Sequence, residues 1–205
     1  KRKEKTLKIK NKFKKDQSEY IILVGSETGN TISFANLFFD ALIAKGHTVF
    51  IDELNTYSSY RKAKQLIVFT ATYGEGEAPS NAKKFQSLLE SVHQDNSIKY
   101  SVVGFGSLMY PDFCKYAIVV DALLQKQSGF FPNLPLFKIN NQSFEAFITW
   151  LNQWNKTTEL SLNVERPKLK INRKKLKNFE VVKKTMLNVD HTFLLQLRPK
   201  KRVKF

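Results

Sequence analysis

A single cysteine, Cys114, stands in 205 residues. An internal disulfide is therefore excluded, and a reducing compartment fits. Three scattered histidines and that one cysteine give no metal-ligand spacing. No apolar run approaches the roughly 20 residues a membrane helix needs, and the start has no signal-peptide pattern. There is no internal repeat, no hydrolase-type triad and no carboxylate pair placed for acid–base work. What is present is a foldable chain. It is 42% hydrophobic and 13% aromatic, which argues against disorder, and its length suits one domain of about 150 residues plus extensions.

The net charge of +16 suggests nucleic acid or an anionic membrane as a partner. Its distribution argues otherwise. Residues 1–19 hold nine basic and three acidic side chains, and residues 155–205 hold fifteen and four. The middle, 20–154, holds ten and eleven, so the basicity sits in the flanks. The tails also lack interleaved aromatics, so no nucleic-acid partner is expected. Lys1 to Lys15 reads as a solvated linker; a juxtamembrane polybasic arm following a membrane anchor N-terminal to Lys1 is the alternative.

From Tyr20 the chain alternates between short apolar runs and helical patterns. Strands are expected at 20–25, 47–51, 65–70, 100–105 and, more weakly, 136–139. Helices are expected at about 31–45, 81–93, 113–127 and 143–155, with 52–64 a polar loop or weak helix. Near-continuous apolar strands between helices imply an α/β, doubly wound parallel sheet covered on both faces. Beyond 155 the pattern changes. Lys168 to Lys177 is strongly basic, and Phe179–Val182 and Thr192–Leu197 read as strands with no helix between them.

The stretch Ile21 to Thr31 organises the rest. Four apolar residues run into Gly25-Ser26-Glu27-Thr28-Gly29-Asn30-Thr31, and a helix begins there. The first amides of a helix lack internal partners and carry the positive end of its dipole, so such a loop can hold an anion. A nucleoside triphosphate loop would need a Lys that is absent. The hydroxyls of Ser26, Thr28 and Thr31 suit a phosphate monoester instead. An ordinary strand-to-helix turn with a Thr or Asn cap is the alternative reading.

Two further loops leave the carboxyl ends of strands, where open doubly wound sheets bind ligands. One runs Thr70-Ala71-Thr72-Tyr73-Gly74-Glu75-Gly76-Glu77; the other runs Gly104-Phe105-Gly106-Ser107-Leu108-Met109-Tyr110-Pro111-Asp112-Phe113-Cys114. Each offers glycines and one tyrosine. Tyr73 and Tyr110 together suit a flat ring, and a phosphate plus a ring suggests a mononucleotide, with a flavin the best fit. Glu75 and Glu77 read as exposed docking charges.

These three loops resemble those of flavodoxins, and more narrowly the FMN domains of diflavin reductases. The resemblance rests on Ser26–Thr31, on Thr72-Tyr73-Gly74-Glu75-Gly76 with Pro79 and Asn81-Ala82, on Gly104-x-Gly106-Ser107 with Tyr110-Pro111-x-Phe113-Cys114, and on Phe144-Glu145-x-Phe147-x-x-Trp150. It covers about 20–155. It implies a flavodoxin-like five-stranded sheet of order 2-1-3-4-5, with a domain at 20–157 preceded by a basic arm at 1–19. Residues 158–205 would be a linker and the first strands of an incomplete FAD-binding domain. Ser26, Glu27, Thr28, Gly29, Asn30 and Thr31 would hold the FMN phosphate, and Tyr73 and Tyr110 would flank its ring. The Gly74 peptide would lie near flavin N5. The backbone of Ala71, Thr72, Gly76, Gly104, Phe105, Gly106, Ser107, Phe113 and Cys114 would line the site.

Two departures from the family stand out. Asn140-Asn141 replaces an acidic residue, and Asp112 replaces a histidine. The implied function is one-electron transfer by FMN, fed by an FAD/NADPH module beyond Phe205 and emptied into a haem or other metal-containing acceptor. A cytoplasmic location follows, at a membrane face if an anchor precedes Lys1. A stand-alone flavodoxin carrier is the alternative. A phospho-receiver domain is disfavoured by Thr70, where an aspartate is needed.

Overall fold

The computed structural model describes residues 11–166, 179–186 and 193–199. Lys168 to Lys177 and the segment before Asn11 lie outside them. The described residues fall into two compact units, one ending at Arg166 and one holding 179–186 and 193–199.

The first unit is built on β1 (Tyr20–Gly25), whose residues are buried on both faces after Tyr20. Around it lie β2 (Val49–Glu53), β3 (Gln65–Ala71) and β4 (Ile98–Gly106), all parallel. The sheet order is β2-β1-β3-β4, and the fifth position is shared by β5 (Phe130–Pro132) and β6 (Phe137–Asn140). β5 pairs with the start of β4 and β6 with its end. The fifth strand is thus one ribbon split by Asn133–Leu136. Pro132 and Pro135 explain the break, since proline has no amide to donate to a ladder.

Side chains alternate between faces along each strand. Ile21, Leu23, Leu66, Val68, Tyr100 and Val102 share one face with α2 (Phe85–Ser91) and α3 (Lys115–Lys126). Ile22, Val24, Ile67, Phe69, Val103 and Phe105 face α1 (Asn30–Ala44) and α4 (Phe144–Thr158). The second face is dominated by rings, with Trp150 contacting Phe38, Phe69 and Phe147.

Three segments differ from the sequence reading. The helix expected at 81–93 is a 3-10 turn at Ser80–Ala82 followed by the seven residues of α2. The stretch 52–64, read as polar, buries Leu54, Tyr57, Tyr60 and Ala63. It carries only a 3-10 turn at Leu54–Thr56 and takes the place of a crossover helix. The Gln94 amide clasps it, accepting from Tyr60 N at 3.1 Å and donating to Tyr60 O at 3.2 Å. The end of the N-terminal arm is also tied down: Asn11 donates to Ile51 O and accepts from Ile51 N, both at 2.9 Å, along the free edge of β2.

The C-terminal end of the unit extends past α4. Leu162 is buried, and the Asn155 amide bonds both its N–H and its carbonyl. At the other end of α4, Ser143 Oγ accepts from Ala146 N at 3.2 Å, an N-cap. Ser143→Ala is expected to cost about 1 kcal/mol, read as a lower urea midpoint with an unchanged slope.

The second unit is an antiparallel hairpin of β7 (Phe179–Met186) and β8 (Phe193–Pro199), with a register shift between Val181 and Lys183. The two strands expected there are present. Val181, Val182, Met186, Leu194 and Leu197 are exposed on it.

Candidate functional site

The three loops meet at the carboxyl end of the sheet. The first leaves β1 through Gly25, where an added Cβ would lie 2.3 Å from Thr70 Oγ1. The loop closes on itself, as Gly29 N donates to Ser26 Oγ at 3.0 Å. Gly29 takes φ +84°, a conformation few other residues reach without strain. Helix α1 then starts with no side chain capping it. Its first-turn amides, from Asn30 onward, lack intrahelical partners and stand beside the exposed Thr28 and the buried Ser26 and Thr31. α4, by contrast, has its cap. An uncapped helix start flanked by hydroxyls fits an oxyanion group.

The second loop is a tight reversal. Tyr73 N donates to Glu77 O at 3.0 Å and Glu77 N to Tyr73 O at 2.7 Å, which puts Gly74 and Gly76 at the tip. Two side chains tie it to the first loop: Ser26 N donates to Asn81 Oδ1 at 2.8 Å and Ser80 N to Glu27 Oε2 at 2.7 Å. The third loop leaves β4 and is held by Asn140, whose Oδ1 accepts from Leu108 N at 2.9 Å. Asn141 N donates to Gly106 O at 2.8 Å. The second loop is tied to the start of α3, just past the third loop, where Tyr116 N donates to Thr72 Oγ1 at 3.2 Å.

Between these two loops lies a cleft of about 300 Å³ lined by Thr72, Tyr73, Gly74, Gly106, Ser107, Tyr110, Asp112 and Phe113. Tyr73 and Tyr110 are 49% and 67% exposed, unusual for large rings with nothing to cover them. The adjacent Leu108 and Met109 are exposed too. Among the described residues no group of three or more His, Cys, Asp or Glu could hold a metal ion. No described helix is long and apolar enough to cross a membrane.

Seven of the residues named from the sequence therefore line one cleft, and the Ser26–Thr31 loop stands next to it. Others from the same set serve from behind. Gly104 packs on α3, where an added Cβ would lie 2.6 Å from the Ala117 Cβ. The Phe105 side chain is in the ring core against Phe34. Ala71 packs against the same core cluster. The Cys114 side chain is buried, and burial pushes its thiol up to about 11. Gly76 lies under the side chain of Lys115. Glu27 spends its carboxylate on Ser80 N. The sequence reading missed the supporting roles of Asn140, Thr72 and Lys115. The sequence singled out Asn140 only as a replacement for the family's acidic residue, which says nothing of its bond to Leu108 N.

The raised thiol predicts a pH effect. An unfolded chain releases the Cys114 proton from about 9, whereas the folded chain keeps it to about 11. The folded state thus binds more protons in that window, and stability falls as pH rises through it. Cys114→Ala is expected to flatten the loss of urea stability as pH rises from about 9 towards 11; the buried tyrosines, raised from 10, add their own loss in that range and do so equally in both proteins.

The flavodoxin family profile matches residues 22–162. The inducible nitric oxide synthase of Gallus gallus is 35% identical over 135 residues, 63% of this chain and 12% of that protein. The NADPH sulfite reductase flavoprotein alpha-component of Aliivibrio fischeri is 33% identical over 112 residues, 53% of this chain and 18% of that protein. This chain thus matches only a small part of either. The structure of the Streptococcus pneumoniae TIGR4 flavodoxin superposes with a TM-score of 0.59 at 30% identity, covering 68% of this chain and 97% of that one. With the strand order in agreement, the chain belongs to the flavodoxin family, whose cofactor is FMN, and resembles the FMN domains of the diflavin reductases.

Proposed function

We propose that this chain is the FMN-binding electron-transfer module of an NADPH-dependent diflavin oxidoreductase. The observation that carries the reading is the meeting of an uncapped helix start and a tyrosine-walled cleft at one end of the sheet. Ser26, Thr28, Asn30 and Thr31, with the free α1 amides, would hold the phosphate. Tyr73 and Tyr110 would stack on the ring, and the backbone of Gly74, Gly106 and Ser107 would approach its edge. Bound FMN supplies one-electron transfer; this chain's residues bind, orient and tune it.

A neutral core with basic flanks and a separate antiparallel hairpin supports the larger assembly. Electrons would enter from an FAD/NADPH module C-terminal to Phe205 and leave to a haem or other metal-containing acceptor. The relatives that suggest this are the synthase and the sulfite reductase component. A stand-alone carrier is the second reading, favoured by the match to nearly the whole of the pneumococcal flavodoxin.

The test is a titration of purified chain with FMN. Quenching of flavin fluorescence at a one-to-one ratio and a yellow gel-filtered protein are expected. A colourless protein with no uptake overturns the reading. NADPH alone should leave the bound flavin oxidised; reduction should need an added FAD/NADPH reductase module. A reading frame that stops shortly after Phe205 would favour the carrier.

A further inference from the structure

Lys115 is the first residue of α3, and its position makes little sense for the helix itself. A cation in the first turn opposes the helix dipole. Its placement is explained by what it touches. An added Cβ on Gly76 would lie 2.3 Å from Lys115 Cδ and 3.1 Å from Nζ, so the lysine stem lies directly over the backbone of the second loop. The same ammonium sits 3.0 Å from Asp112 Oδ1, in the third loop. Asp112 lines the ring cleft. One side chain therefore spans both ring loops, next to the bond from Tyr116 N to Thr72 Oγ1.

The consequence is electrostatic as well as mechanical. Asp112 places a carboxylate on the wall of the cleft. A ring that gains negative charge on reduction would be held less well beside it than the neutral oxidised ring. Opposite charge close by cancels most of that field. Resting on the FMN reading above, we infer that Lys115 is a positioning residue that clamps the two ring loops together and neutralises Asp112, and so limits how far the cleft favours the oxidised ring.

The test compares the full chain with Lys115→Met, which keeps the stem and removes the charge, with Asp112→Asn, and with the double variant. Each is titrated with FMN, and the potentials of the two one-electron couples are measured. Lys115→Met should lower the potential of the couple that leaves the ring negatively charged, by a roughly three- to tenfold loss of relative affinity for the reduced form; tenfold corresponds to about 59 mV for one electron. Asp112→Asn should raise it. The double variant should return close to the wild type. Variants that leave the potentials unmoved, or that move them in the same direction, overturn the charge role.

Hydrogen exchange of the flavin-free protein decides the clamp separately. Lys115→Met should speed exchange at the Glu77 amide while the β1 amides keep wild-type protection. Unchanged exchange at Glu77 overturns the clamp. A wild-type chain that takes up no FMN overturns the FMN reading instead, and the exchange result stands on its own.

Discussion

Riboflavin is expected to bind this chain about a hundredfold more weakly than FMN, or worse. The two ligands share the ring and differ in the phosphate, so the ratio isolates the Ser26–Thr31 loop. The phosphate carries about −1.5 to −2 charge and would meet the uncapped amides of α1 together with the Ser26, Thr28 and Thr31 hydroxyls. Hydrogen bonds to a charged group contribute about 1.5–3 kcal/mol each, and every 1.4 kcal/mol is tenfold in affinity. Two such bonds already give the predicted ratio. Fluorescence titration with both ligands measures it, and equal affinities would show that the loop holds no phosphate. Ser26→Ala should weaken FMN by about tenfold and leave riboflavin less affected. It removes one hydroxyl and the acceptor for Gly29 N, on which the left-handed turn at Gly29 depends.

The largest loss of stability is expected from Trp150→Ala, about 3–5 kcal/mol. Trp150 is fully buried, and its ring lies 5.2 Å from Phe38, 5.3 Å from Phe69 and 5.7 Å from Phe147. These rings come from α1, β3 and α4, so no single element can close the cavity. Its indole N–H is buried without a partner among the described residues, so truncation orphans no acceptor, and removal of that unmet donor offsets a small part of the loss. Urea unfolding should show a lower midpoint with an unchanged slope. Trp150→Phe should recover part of the loss, because it keeps a ring in contact. A loss below about 1 kcal/mol for the alanine variant would mean that the ring cluster repacks, contrary to the close packing usual for protein cores.

The sheet was legible because its strands are buried on both faces. Ile21–Val24 and Leu66–Phe69 are unbroken apolar runs, and runs of that kind between helices leave a parallel sheet as the simple solution. The fifth strand was legible only as a weak signal, since its split depends on where β4 offers edge groups to Phe130–Pro132 and Phe137–Asn140. The stretch 52–64 misled for a related reason. Its polar residues sit between Leu54, Tyr57 and Tyr60, and only the pocket formed by Phe85 and Gln94 makes those rings core.

The candidate site divides the same way. Glycines, hydroxyls and two tyrosines in fixed order were enough to mark three candidate ligand loops, because backbone conformation and donor chemistry are local properties. Which of those residues face the cleft was a matter of tertiary structure. Gly104, Phe105 and Cys114 stand beside Gly106 and Phe113 in the chain, yet Gly104 packs its backbone on α3 and the other two bury their side chains in the core. The pins that hold the loops together, Asn81 to Ser26, Asn140 to Leu108 and Lys115 to Asp112, join residues brought close only by the fold or by the start of a helix. The sequence alone therefore determined the fold class and the family's cofactor chemistry, and it marked three loops as candidates to hold that cofactor. Tertiary structure decided which side chains reach the cleft and what charge stands on its wall, because both depend on distances between strand ends far apart in the chain.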